Sequence, residues 1–216
     1  MGEHDAGSVG VTGSSPVRST NFQAFMRCIL CEKISLSLIC SDCREKFLTP
    51  SLITRTLNDG FKIYSFYRYG DIEDLIKTKH SFLGSFIYKI LAESSFRKFA
   101  LNFKMDFTVY ALPIDDVPKG GYSHTAILAK ALESECVKPV FSSLRALNRV
   151  VYSGKSLAFR LENPRNFKYS FKRGVDAILV DDIVTTGSTI KEAVSVLKRE
   201  GVNPLFALTL ADAREK

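Results

Sequence analysis

No stretch of the chain approaches the roughly 18 consecutive apolar residues that a membrane span requires, and residues 1–25 lack the apolar middle segment of a secretory signal. On these two absences the chain is read as cytoplasmic. Acid is in short supply: 23 Asp and Glu stand against 30 Lys and Arg, a formal charge of +7. That balance favours anionic partners without naming one. Cysteine is scarce as well, with five in 216 residues. In a reducing compartment so few point to metal ligands or free thiols and away from a disulfide framework. What is present is globular in composition, 45% hydrophobic and 25% charged, and long enough for one α/β domain with a small appendage.

Residues 1–25 are rich in Gly, Ser and Thr and show neither a helical nor a strand period. They are read as a mobile tail or a non-native extension, with Met26 as a candidate start. Residues 26–50 hold the clustered cysteines, and residues 51–216 form the main domain. Within it the aromatic run 61–69, bounded by Asp59-Gly60 and Gly70-Asp71, predicts a strand. From 72 to 100 the residues Leu75, Ile76, Leu83, Phe86, Ile87, Ile90 and Leu91 recur at three- and four-residue steps, with Ser81 and Gly84 marking a break, so one or two helices are expected. Strands are expected at 107–113, 137–144, 176–182 and 204–210, and helices at 123–134 and 188–199, the latter closed by Gly201. This alternation predicts an α/β fold, a parallel sheet with helices on both faces.

The sharpest chemical signal is the run 177–190, AILVDDIVTTGSTI, in which an apolar strand delivers Asp181 and Asp182 and then a small-residue loop opens onto a helix. A helix start presents unpaired N–H groups and the positive end of the dipole, which suits a phosphate at Thr186, Gly187, Ser188 and Thr189. The hydroxyls of Thr185, Thr186, Ser188 and Thr189 add donors, and Gly187 lets the backbone approach closely. Asp181 and Asp182 can accept hydrogen bonds from two ribose hydroxyls, and a pyrophosphate group brings Mg²⁺ with it. A phosphorylated sugar fits this set. The same residues admit a plainer reading, in which Asp182 or a threonine caps the helix and the acids lie on a solvated strand end.

Cys28 and Cys31, then Cys40 and Cys43, form two CxxC pairs close enough in sequence to close on one tetrahedral ion, for which Zn²⁺ is the natural occupant. Four sulfurs leave no open position, so the metal's role is structural, and it supplies folding free energy that so short a segment lacks. Redox-active or merely buried thiols are the alternative. Cys136 stands apart as an ordinary half-buried thiol.

The segment 145–174 has little period and carries eight basic residues against the single acid Glu162. A long loop of this kind in a compact domain is usually functional or disordered. Arg160, Arg165 and Lys168 are its candidates for tracking nucleic-acid phosphates, and Tyr64, Phe66, Tyr67 and Tyr69 are candidates for stacking on bases. Against this, aromatics in a strand commonly pack a core, and a basic loop beside a phosphate site can close over pyrophosphate. Lys77, Lys79 and His80 lie on the helical stretch and are placed to face either ligand, although a charge run of this kind is usually only a solvated face. Between Cys28 and Cys43 there is one Lys and no aromatic residue, which weakens any nucleic-acid role for the cysteine segment itself.

The run from the apolar strand through Asp181-Asp182 to Thr185-Thr186-Gly187-Ser188-Thr189 resembles the 5-phosphoribosyl 1-pyrophosphate (PRPP) signature of type I phosphoribosyltransferases. The resemblance implies that fold, with Asp181 and Asp182 on the ribose hydroxyls and residues 185–189 around the 5-phosphate. Purine-salvage members carry an acid where this chain has Thr185, so binding is implied more strongly than turnover. With the doubled CxxC ahead of it, the chain from Met26 onward resembles the ComF family of competence proteins. Ala111-Leu112-Pro113, Gly120-Gly121-Tyr122-Ser123 and Arg160 with Asn163 are similar to further elements of that family. This likeness implies handling or uptake of single-stranded DNA in natural transformation, on the cytoplasmic side or peripherally at the inner membrane. A helicase or another DNA-uptake protein is the implied partner. An active phosphoribosyltransferase that joins PRPP to a nitrogenous base is the alternative.

Overall fold

The computed structural model describes residues 26–115, 117–118, 121–148, 159 and 162–214. The tail 1–25, Lys119, Gly120 and Arg160 therefore lie outside the described residues. A two-stranded antiparallel ribbon, β1 (Met26–Arg27) with β2 (Ile34–Ser35), and helix α1 (Ser41–Phe47) carry the cysteines. Cys28, Ile39, Cys43 and Leu48 are buried against Phe66 and Tyr67, and the Tyr67 hydroxyl donates to the Leu48 carbonyl at 3.0 Å. The cysteine segment thus shares the core of the main domain.

The central sheet has six strands in the order β3 (Ile53–Thr56), β4 (Lys62–Arg68), β10 (Asn203–Asp212), β9 (Asp176–Val184), β5 (Val109–Pro113) and β6 (Val137–Pro139). Every neighbouring pair is parallel except β3 with β4, which form an edge hairpin around Gly60 at φ 82°. β9 and β10 are apolar almost throughout because both faces of the sheet are covered. Ile178, Val180, Leu208 and Leu210 point into one core, and Ala177, Leu179 and Ala207 into the other. The first core is roofed by α2 (Tyr69–Lys77), α3 (Gly84–Ser94), α4 (Phe96–Asn102) and α5 (His124–Ala131), with a 3₁₀ turn (Thr78–His80) between α2 and α3. The second is covered by α6 (Ser188–Arg199), through Ile190, Val194 and Leu197, and by a ribbon of β7 (Leu144–Ala146) with β8 (Phe167–Tyr169).

This is the expected fold class, α/β with a parallel sheet flanked by helices and a small four-cysteine segment ahead of it. The helical break expected near Ser81 and Gly84 is present, between the 3₁₀ turn and α3. Two expectations are corrected. The single strand expected over 137–144 is two elements, because Ser142 adopts a left-handed φ of 58° and turns the chain out of the sheet before Leu144. The segment 145–174, read as loop, contains β8. Of the two readings of the aromatic run, Phe66 and Tyr67 take the core one, at 4% and 3% exposure, with Phe66 packing on Phe96 at a ring-centroid distance of 4.8 Å.

The order of strands locates the site. From β5 the chain moves outward to β6, whereas from β9 it moves outward the opposite way to β10. The sheet reverses direction between β5 and β9, and ligands of open α/β sheets bind in the crevice outside the carboxyl ends of the strands at such a point. Among the described residues no helix is long and apolar enough to cross a membrane.

Candidate functional site

The carboxyl end of β9 brings Asp181, Asp182 and the loop Thr185, Thr186, Gly187, Ser188 and Thr189 to this crevice. Side chains alternate along a strand, so Asp181 shares its face with Leu179, toward α6, and Asp182 shares its face with Val180, toward α3 and α5. The two acids are also tied by the backbone. The Asp182 N–H donates to Asp181 Oδ1 and the Ile183 N–H to Asp182 Oδ1, each at 2.8 Å.

Asp182 lies in a nest of groups from distant elements. Lys79 Nζ, on the 3₁₀ turn, donates to its Oδ2 at 2.9 Å, and His124 Nε2, at the start of α5, lies 3.4 Å from the same oxygen. Burial opposes the Asp182 charge, but His124 and Lys79 outweigh it and hold the carboxyl below its ordinary range. Burial likewise opposes the Lys79 ammonium, and Asp182 overcomes that and raises its pKa. Asp181 goes the other way: burial and the neighbouring Asp182 charge push it up, with Arg165 acting weakly against them. The pair is therefore asymmetric, one acid firmly ionised and the other inclined to keep its proton. Beneath them Tyr88 is fully buried and meets His124 edge-to-face with centroids 5.6 Å apart, and its hydroxyl has no hydrogen-bond partner among the described residues.

Lys79 is held in place by its own backbone. The Tyr122 hydroxyl donates to the Lys79 carbonyl at 2.6 Å. A Cβ at Gly84 would fall 2.1 Å from the Thr78 carbonyl oxygen and 2.2 Å from the Tyr122 hydroxyl, so only glycine lets α3 begin so close to this turn. Ser123 caps α5 by accepting from the Ala126 N–H at 3.2 Å, which fixes His124 at the helix start.

The loop at residues 185–189 is shaped by Gly187, which adopts φ 78° immediately before α6. Gly187 has no side chain to cap α6, and the Ser188 N–H reaches only the Thr186 hydroxyl, at 3.4 Å, so the helix start presents N–H groups and hydroxyls together to an anion. Thr185 and Thr186 are exposed, and the hydroxyls of Thr186 and Ser188 lie 3.0 Å apart, so two hydroxyl donors stand together at the helix start. Across the crevice Asp115, at the end of β5 with φ 50°, accepts from the Ala146 N–H at 3.2 Å and lies 3.6 Å from Arg165 Nη1.

Of the basic candidates, Arg165 stands at this crevice, with its backbone N–H bound to Glu192 Oε2 at 3.0 Å. Lys168 lies elsewhere, exposed on β8 and directly across from Arg145 on β7. Lys77 is solvated and pairs with Glu73 at 3.0 Å, as read from the sequence. Lys79, for which the sequence leaves both a ligand-facing and a solvated reading open, reaches Asp182 in the crevice. His124, Tyr88 and Arg55 carry no signal in the sequence. No local spacing announces them, because their partners lie far away in sequence.

The sulfurs of Cys28, Cys31, Cys40 and Cys43 all lie within 4.8 Å of one another, and this set can hold a metal ion. The Cys31 and Cys40 sulfurs are 3.7 Å apart, close to the edge of about 3.8 Å of a tetrahedron with metal–sulfur bonds of about 2.3 Å. Burial works against a Cys28 thiolate, yet N–H groups of Cys40, Leu30 and Cys31 outweigh it and bring the thiol down to about 6. Burial pushes Cys43 up.

No family model matches the chain. A stretch of 94 residues is 29% identical to the transcriptional regulator GfcR of Methanosphaera stadtmanae, covering 44% of this chain and 42% of that protein. The chain thus matches less than half the length of this curated relative. Among solved structures it is similar to an adenine phosphoribosyltransferase, at 16% identity and TM-score 0.41 over 79% of this chain and 89% of that one. It is similar also to the orotate phosphoribosyltransferase of Aeropyrum pernix, at 18% identity and TM-score 0.36 over 79% and 80% of the two chains. A hypoxanthine phosphoribosyltransferase of Staphylococcus aureus aligns at 16% identity and TM-score 0.37 over 58% and 62%.

Proposed function

We propose that this chain binds PRPP with Mg²⁺ in the crevice between β5 and β9, through a domain of the type I phosphoribosyltransferase kind. The carrying observation is the continuous path from Asp181 and Asp182 into a left-handed Gly187 and the start of α6, at the reversal point of the sheet. The loop's N–H groups and hydroxyls take the 5-phosphate, and Asp181 and Asp182 take the ribose hydroxyls. Bound ribose hydroxyls would donate to the carboxylates, and Mg²⁺ on the diphosphate would add positive charge beside Asp181, whose neighbour Asp182 is already paired with Lys79. The four cysteines hold Zn²⁺ in a structural role, since the sulfur spacing fits a tetrahedral ion and all four positions are filled by protein.

The biological setting we propose is that of a ComF-like protein in natural transformation, handling single-stranded DNA on the cytoplasmic side with a helicase or another uptake protein as partner. The doubled CxxC ahead of the signature supports this, and so does the exposed pair Arg145 and Lys168 on the β7–β8 ribbon. PRPP acts here as a bound effector. Thr185 stands where purine-salvage enzymes place a proton-accepting acid, and the partly similar curated protein is named as a regulator.

A pyrophosphate-release assay over a panel of purine and pyrimidine bases, run beside salt-dependent binding of single-stranded DNA, separates the readings. Binding of DNA that weakens with salt and with Lys168→Ala, without pyrophosphate release, supports the effector reading. Base-dependent release makes the chain a transferase and overturns it.

A further inference from the structure

Arg55 sits on the edge strand β3, away from the acid pair, and is 5% exposed. Its Nε meets Asp212 Oδ2 at 3.2 Å and its Nη2 meets Asp212 Oδ1 at 2.5 Å, a forked pair between residues 157 apart in sequence. The remaining arm, Nη1, donates to the main-chain carbonyl of Thr185, the first residue of the phosphate loop. Asp212 is itself fixed from a second side, accepting from the Arg214 N–H at 2.8 Å, while the adjoining Ala213 N–H donates to the Val184 carbonyl at 2.9 Å.

A trans peptide unit is planar, with its C=O and N–H pointing in opposite directions, and the described chain has no cis bond. Pulling the Thr185 carbonyl inward onto Arg55 therefore turns the Thr186 N–H outward, to the side where Thr185 and Thr186 are exposed. The same hairpin touches the loop again two residues later: a Cβ on Gly187 would lie 2.9 Å from Leu57 Cδ2. A buried ion pair adds little net stability compared with an apolar pair of similar volume. What this pair contributes that an apolar pair cannot is a rigid donor aimed at one carbonyl.

We infer that Arg55 is a positioning residue for the phosphate loop: anchored by Asp212, it holds the Thr185 carbonyl so that the Thr186 N–H faces the 5-phosphate. This rests on the PRPP reading above and adds that phosphate affinity is set partly from the antiparallel edge strand of the sheet.

Arg55→Met alone strands the Asp212 charge, so the test uses the full chain carrying Arg55→Met with Asp212→Leu, and separately Arg55→Lys. Lysine keeps the charge but loses the planar fork that spans Asp212 and Thr185. Calorimetry with ribose 5-phosphate and with Mg²⁺-pyrophosphate reads the outcome. In either variant the affinity for ribose 5-phosphate is expected to fall about tenfold, the scale of one charge-assisted hydrogen bond, with Mg²⁺-pyrophosphate unchanged within about twofold. Undiminished ribose 5-phosphate binding in both variants overturns the assignment. Equal losses for the two ligands overturn it as well, since they mark general loosening and not an oriented donor. A wild-type chain that binds Mg²⁺-pyrophosphate but no sugar phosphate refutes the PRPP reading and this role with it.

Discussion

Lys79 and Asp182 are 103 residues apart in sequence and 2.9 Å apart in space, and this contact joins the 3₁₀ turn before α3 to the acid pair at the end of β9. The carboxyl it engages is held down at about 2 against the effect of burial, by His124 and by Lys79. A carboxyl depressed in the folded state stabilises the fold above its unfolded value of about 3.9 and loses that contribution as pH falls through the folded value. Lys79→Met is therefore expected to cost about 1–3 kcal/mol at pH 7, reduced from the fully buried case because the lysine is partly exposed. The deficit narrows between about pH 4 and pH 2. Urea melts at pH 7 and pH 3 check this, and a deficit of the same size at both rejects the pairing as its cause.

Asp181 predicts the opposite slope. Its pKa is raised to about 8 by burial and by Asp182, so the folded state favours the protonated form. Stability is then lost progressively as pH rises from about 4 toward the folded value, because the unfolded chain ionises first. Asp181→Asn is expected to flatten this slope and to be more stable than the wild type by about 1 kcal/mol or more at pH 8. It is expected at the same time to weaken PRPP binding by removing an acceptor for a ribose hydroxyl. An unaltered pH–stability slope in the variant argues against the assignment.

The cysteine cluster predicts a metal-dependent fold. Cys28→Ser with Cys31→Ser is expected to abolish zinc binding measured by mass analysis and to lower the melting temperature, as is a strong chelator added to the wild type. Cys136→Ser, whose sulfur lies near the Phe103 carbonyl and apart from the cluster, should leave both unchanged. Full stability in the absence of metal contradicts the structural role.

Gly187→Ala tests the loop's shape. At φ 78° an alanine is strained, and its Cβ meets Leu57 at 2.9 Å. A loss of about 1–2 kcal/mol in stability is expected, together with a larger proportional loss of phosphate affinity, read by thermal melts and calorimetry. Wild-type phosphate affinity in this variant means the loop does not hold the phosphate.

What the sequence disclosed follows from how local each signal is. Asp181, Asp182 and residues 185–189 are contiguous, and their chemistry depends on one strand, one turn and one helix start, so the run is readable without tertiary knowledge. The cysteines declare themselves by spacing for the same reason. For Lys79 the sequence leaves two readings open, since Lys77 and His80 beside it suggest a solvated face, and the turn locked by Tyr122 against Gly84 is what directs its side chain inward. Arg55 gave no signal at all, since its partners are 130 and 157 residues away. The run 137–144 reads as one strand because its apolar residues continue past Pro139, while β6 ends there and the turn that follows includes Ser142 with a left-handed φ.

Titration calorimetry of the intact chain with PRPP in the presence of Mg²⁺, repeated with Asp181→Ala and Asp182→Ala combined, tests the central claim most directly. Saturable binding by the wild type that the double variant loses while keeping its melting transition is the predicted result. Absence of PRPP binding by the wild type, or undiminished binding by the variant, would contradict it.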